Sequence, residues 1–184
     1  MRMMFKDPLL DAARILIAIF IAVCCLAAVM LLVGAPALLF FEDRFLAELA
    51  EKGVTGTEAA LTGAVAMVMV GTAGLLALAV WFMLVLLRII ASVGEGEPFT
   101  RENSERLSRM GWIALGGQLA SIPVGALVLW IASELKDLAA AHSLRIDADF
   151  GIDGEGILLV LILFILARVF RHGAAMREDL EGTV

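Results

Sequence analysis

Four long apolar runs separated by polar stretches organise the chain. The first lies between Arg14 and Glu42, 27 residues without a formal charge. At about 1.5 Å rise per residue, a helix of that length exceeds the roughly 30 Å hydrocarbon core of a bilayer. The second, Ala59 to Leu87, holds 29 uncharged residues and is long enough to span with tilt. The third runs from Met110 to Ser133, with Trp112 and Trp130 near its ends. Their separation of 18 positions is about 27 Å of helix, the spacing of the aromatic belts at the two membrane interfaces. The fourth is shorter: Gly156 to Ala167 gives 12 uncharged residues, about 18 Å of helix. It spans only by recruiting its flanks, with Arg168 snorkelling to the headgroups and the apolar part extended through Phe170. The pattern predicts an all-α integral membrane protein. One domain, 1–184, forms a four-helix transmembrane bundle with spans at about 15–41, 59–87, 110–133 and 154–171.

The polar stretches add short interfacial elements. Phe41, Phe45 and Leu49 recur at i, i+4, i+8, with Glu48 and Lys52 one turn apart. That pattern fits a short helix on the membrane surface, or a continuation of the first span. In the middle stretch Gly94 and Pro98 end the second span, and Thr100 is placed to cap a helix that runs into the third. Phe99, Asn103 and Leu107 share a face of that helix, while Glu102 and Arg106, and Glu105 and Arg109, are spaced for salt bridges. Residues 94–109 and 172–184 are read as a loop with a helix and as a tail.

Within the spans, Gly63, Met67 and Gly71 recur every four positions in the second, and Gly117, Ser121 and Gly125 do so in the third. Such stripes let helix backbones approach closely where lipid removes the hydrophobic drive for association. Pro123 cannot donate to the carbonyl of Leu119, so a kink is expected there, with Ser121, a neighbouring helix or water satisfying the freed oxygen. Gln118 is placed for an interhelical hydrogen bond.

Composition and charge refine this picture. The chain is 61% hydrophobic with a mean hydropathy of +0.96, far above globular values. Arg2, Lys6 and Arg14 precede the first run and Ala35-Pro36-Ala37 resembles a cleavage site, yet the run is longer than a signal's and continues past that site, so an uncleaved helix is expected. Ten of the fourteen Lys and Arg lie in the N-terminal, middle and C-terminal segments, and four in the other two loops. Both termini are therefore expected in the cytoplasm, the side that retains Lys and Arg in short loops. Eleven of the twenty acidic residues lie in the outer loops, leaving that side at −7 and the cytoplasmic side at +1. Membrane lipids are expected partners, and the absence of a basic tract argues against direct nucleic-acid binding.

Candidate chemistry is sparse. Cys24 and Cys25 are adjacent in an apolar run, cannot readily meet disulfide geometry, and read as buried small hydrophobes. His142, Asp147, Asp149, Asp153 and Glu155 invite a metal reading, but their spacing does not follow an EF-hand loop, and a solvated acidic loop is expected. No span carries Asp, Glu, His or Lys at membrane depth, and the two histidines fall on opposite sides. Neither an ion pathway nor a catalytic constellation is apparent, so no enzyme activity and no cofactor are expected.

Two cytoplasmic segments stand out: Gly96-Glu97-Pro98-Phe99-Thr100 with Asn103 and Leu107, and the tail Phe170-x-x-Gly173-x-x-Met176-Arg177-Glu178-Asp179-Leu180-Glu181-x-Thr183-Val184. Together they resemble a family of small bacterial four-span membrane proteins known as domain of unknown function 2975. Gly182 stands where the family's pattern has a larger residue. The resemblance implies an inner-membrane protein partnered with a small helix-turn-helix regulator, and it brings no catalytic residues. Arg88, Arg168 and Arg171 cluster on the same side as these segments, which are expected to fold against each other into a cap. That cap either joins helices and anchors lipid headgroups or docks a protein. The candidate interaction residues are Phe99, Thr100, Asn103, Leu107, Arg168, Arg177 and Asp179, and the candidate packing residues are Gly63, Gly71, Gly117, Gln118, Ser121 and Gly125. The expected role is a non-enzymatic interaction protein, a partner of a cytosolic regulator or an accessory subunit of a membrane complex. The alternative is an oligomeric transporter or channel for a small neutral solute, with Thr72, Gln118, Ser121 and Pro123 lining its path.

Overall fold

A computed structural model describes residues 8–51, 59–96, 98–135 and 153–181. These form five helices: α1 (Pro8–Phe40), α2 (Glu42–Glu51), α3 (Ala59–Gly94), α4 (Arg101–Glu134) and α5 (Gly154–Glu181), with no strand among the described residues. All but α2 are long and apolar enough to cross a membrane. The protein is a multi-pass membrane protein, and its backbone meets the requirement of lipid, because a helix satisfies its peptide groups internally. Large apolar side chains accordingly face outward, among them Leu16, Val23, Met30 and Val33 of α1.

The described residues belong to two compact units. One comprises residues up to Cys24, Leu78–Gly117 and the segment from Asp153 onward. Its core is a continuous cluster from three helices: Val85 and Ile89 of α3, Leu107, Met110 and Ile113 of α4, and Leu163 and Ala167 of α5. The spacings of three and four residues put each set on one helix face. Gly111 brings α4 close to α5, since a Cβ there would lie 3.1 Å from Phe164 Cζ. The Phe164 ring also meets Trp112 edge-on at 5.5 Å. Asp153 caps α5, its Oδ1 accepting the amide of Gly156, at the third helical position, at 2.5 Å, the bond an N-cap side chain makes. Of the expected solvated acidic loop, only Asp153 and Glu155 lie within the described residues, and its other members fall outside them.

The other unit comprises Cys25–Ala77 and Gln118–Ile152, of which residues 25–51, 59–77 and 118–135 are described. Here the contacts involve glycines. A Cβ on Gly34 would lie 2.6 Å from Met69 Cε, and one on Gly71 would lie 2.6 Å from Val124 Cγ2. At Gly63 and Gly117, in contrast, an added Cβ meets nothing within 4 Å, so no side chain requires a glycine there. Gly125 is buried and Gln118 half-buried. Ser121 Oγ donates to the Gln118 carbonyl at 2.7 Å rather than to that of Leu119. Pro123 sits inside a helix that remains continuous from Arg101 to Glu134.

One further expectation is corrected. Cys24 is buried but Cys25 is exposed, because adjacent helical residues point about 100° apart and only one can face the neighbours. Of the two readings of the Phe41–Leu49 pattern, the separate short helix is the one found: α2 is set off from α1 by a turn at Phe41 whose amide still bonds Ala37 O at 3.0 Å. Residues 172–181 of the expected tail are helical: α5 runs on through Arg168 and Arg171 to Glu181, since charge limits where a helix sits in a bilayer but does not end it.

Candidate functional site

The turn from α3 to α4 is built on a glycine, a proline and one buried amide. Gly96 adopts φ +81° and its amide bonds the Val93 carbonyl at 3.0 Å, closing α3 with a left-handed residue that only glycine takes without strain. Thr100 then caps α4, its Oγ1 accepting the Asn103 amide at 3.2 Å. The Asn103 side chain ties these pieces together. Its Nδ2 donates to Ser92 Oγ at 2.6 Å and to the Pro98 carbonyl at 2.9 Å, while its Oδ1 accepts from Arg106 Nη1 at 2.9 Å. Ser92 Oγ in turn donates to Ile89 O at 2.8 Å. Asn103 is wholly buried, and every polar atom of its amide has a partner, as burial demands. A flipped amide would face the Pro98 carbonyl with an oxygen, so this network also sets its orientation.

Two contacts join this turn to α5. Ser104 Oγ, also buried, donates to the Ala167 carbonyl at 2.9 Å. The Phe99 ring packs against Phe170 at 5.0 Å between centroids, and Gly173 leaves room for it, since a Cβ there would lie 3.0 Å from Phe99 Cδ1. On the outer surface Arg106 pairs with Glu102 at 3.3 Å. Glu105 reaches back to Arg101 at 3.9 Å, where spacing alone had pointed to Arg109.

The candidate interaction residues therefore divide. Asn103 and Leu107 do not form a docking face with Phe99. Asn103 holds the turn and Leu107 belongs to the core, because the shared face points toward α3 and α5. Thr100 acts as the cap. Phe99 is half exposed, and Arg168, Arg177 and Asp179 are exposed. Nor do the three arginines form one cluster. Arg88 lines a cleft of 270 Å³ with Thr100, Glu102 and Arg106, whereas Arg168 and Arg171 line others.

Two of the clefts lie on different sides of α5. A polar one of 280 Å³ is lined by Arg101, Ser104 and Glu105 of α4 and by Arg171, Ala175 and Glu178 of α5, among others. An apolar one of 850 Å³ lies between the turn (Gly96, Pro98, Phe99) and the α5 face of Ile165, Val169 and Met176, with Arg168, His172 and Arg177 beside it. None of these clefts is lined by Thr72, Gln118, Ser121 or Pro123. Among the described residues no group of three His, Cys, Asp or Glu is placed to hold a metal ion. Sequence reasoning gave no site role to Ser92, Ser104 or His172. Ser104 bonds a main-chain carbonyl 63 positions away, which no local pattern announces.

No curated protein and no solved structure matches the chain. A family model does match, over residues 14–184. The chain thus belongs to the family described as Protein of unknown function (DUF2975).

Proposed function

We propose that this is a non-enzymatic interaction protein of the bacterial inner membrane, with both termini in the cytoplasm. It holds a protein partner at the end where the α3–α4 turn meets α5. The partner is a cytosolic helix-turn-helix regulator or a larger membrane complex in which the chain is an accessory subunit. The Asn103 network carries this reading. The buried amide with three partners holds the turn in one shape, as a surface recognised by a partner requires. The buried polar residues support it too: Asn103 and Ser104 are both engaged in holding helices together. The surface offered is the polar cleft of Arg101, Glu105, Arg171 and Glu178, charged groups of both signs that give a partner specificity and register. The distribution of Lys and Arg, ten against four, supports the orientation.

Affinity purification from membranes tests the partner. The wild-type chain is expected to retain a discrete protein that Glu105→Lys/Arg171→Glu loses, both chains being equally abundant. Identical co-purifying proteins would refute the reading. A reporter fused after Val184 tests the orientation: activity in the periplasm would overturn it.

A further inference from the structure

We propose that the apolar cleft between the α3–α4 turn and α5 is a binding site for one anionic phospholipid, its acyl chain lying along α5 and its phosphate held by Arg168 and His172. The cleft continues a lipid-facing stripe. Leu158, Ile162, Ile165, Val169, His172 and Met176 follow one another at alternating intervals of four and three and so occupy one face of α5. The four aliphatic members are each at least 50% exposed. The lower part of the stripe is one wall of the cleft, and Pro98 and Phe99 form the other. That second wall is held in place by the Phe170 ring and by the amide of Asn103 on the Pro98 carbonyl. The volume of 850 Å³ falls within the range of small-ligand sites, about 300–1,000 Å³.

Charge and depth identify the occupant. Arg168 lies 14 residues beyond the start of α5 at Gly154, about 21 Å along the helix axis, so a hydrocarbon span of roughly 30 Å that began at Gly154 would enclose it. A guanidinium at that depth requires an anion or water. Among the described residues, no carboxylate lies within 4 Å of Arg168 or His172. A phosphodiester drawn inward supplies the anion, and the imidazole carries an N–H donor in either protonation state. The stripe opens the cleft toward the acyl chains, so a lipid enters it without exposing peptide groups to hydrocarbon, as an extended peptide would. Arg171 and Glu178, the proposed protein-docking residues, line the polar cleft on another side of α5, but Arg171 also shares a cleft of 560 Å³ with Arg168 and His172. Glu105→Lys, confined to the polar cleft, therefore separates loss of the partner from loss of the lipid.

The test uses the full chain in nanodiscs of equimolar phosphatidylglycerol and phosphatidylcholine, with a diazirine on the acyl chain of one lipid or the other. Peptides containing Phe99 and Ile165–Arg177 are expected to be labelled about fivefold more by phosphatidylglycerol, the preference one interfacial cation confers, while α1 is labelled equally by both. Arg168→Gln/His172→Gln is expected to bring the ratio near one, and Arg168→Lys to preserve it. Equal labelling of the wild type, or a ratio unchanged in the double variant, would overturn the proposal. So would competition by inorganic phosphate alone, or shielding of these peptides from both lipids, as a second copy or another protein in the cleft would produce.

Discussion

Removing the Asn103 amide tests whether the turn is held by that one side chain. Asn103→Ala deletes three hydrogen bonds: two from Nδ2, to Ser92 Oγ and Pro98 O, and one accepted from Arg106. The neutral bonds contribute about 1 kcal/mol each, and the charged one contributes about 1.5–3 kcal/mol when fully buried. Arg106 is partly exposed, with side-chain accessibility of 26%, and keeps Glu102, so its share belongs at the lower end. The expected loss is about 3 kcal/mol, or roughly a hundredfold in the equilibrium for opening the turn. Hydrogen exchange read by mass spectrometry reports such local opening directly. The peptides covering 92–106 are expected to exchange roughly a hundredfold faster in the variant, while those from Leu26–Val33 of α1 stay unchanged. Asn103→Asp separates the contributions. It keeps an acceptor for Arg106 but sets a carboxylate against the Pro98 carbonyl, so it is expected to open the turn as fully as alanine. A Ser92→Ala/Asn103→Ala cycle is expected to show a coupling of about 1 kcal/mol. Unchanged exchange in Asn103→Ala, or wild-type protection in Asn103→Asp, would refute the assignment of the turn to this network.

Other consequences are simpler. Gly71→Ala places a methyl 2.6 Å from Val124 Cγ2 and is expected to destabilise by about 1–3 kcal/mol. Gly63→Ala and Gly117→Ala, which meet nothing within 4 Å, are expected to be neutral or stabilising by up to about 1 kcal/mol; thermal unfolding in detergent distinguishes them. Gly173→Leu removes the seat of the Phe99 ring, whose nearest atom lies 3.0 Å from an added Cβ. It is expected to displace the ring and speed hydrogen exchange in peptides covering Phe99–Ser104, which would stay unchanged if Phe99 were held by Phe170 alone. Thr100→Ala removes the cap of α4 and is expected to cost about 1 kcal/mol, seen as faster exchange confined to Arg101–Ser104.

The membrane-spanning character was legible because lipid is a demanding solvent: length without charge, flanking tryptophans and Lys/Arg distribution each follow from it. Direction was not legible. Both the lipid-facing and the packed sides of a span are apolar, so the pattern does not distinguish Gly71, pressed on Val124, from Gly63 and Gly117, which face open space. The same ambiguity separates Cys24 from Cys25. At the turn the reverse error arose. Phe99, Asn103 and Leu107 do share a helical period, but that period alone places Asn103 among the candidate interaction residues. Its partners, Ser92 and the Pro98 carbonyl, are supplied by the preceding helix and turn, and folding buries a fully paired amide without penalty. Thr100 was legible as a cap because capping is local, whereas the meeting of Ser104 with Ala167 is tertiary.

Site-specific photo-crosslinking in living cells tests the central claim most directly. With benzoylphenylalanine at position 105 or 178, beside the polar cleft, the chain is expected to form one discrete protein adduct, identified as a DNA-binding regulator or a subunit of a membrane complex. The adduct should disappear when Arg171→Glu is added, and the probe at Leu26, on the lipid-facing side of α1, should not form it. Absence of any protein adduct at both cleft positions, with the chain present at normal abundance, would contradict the account.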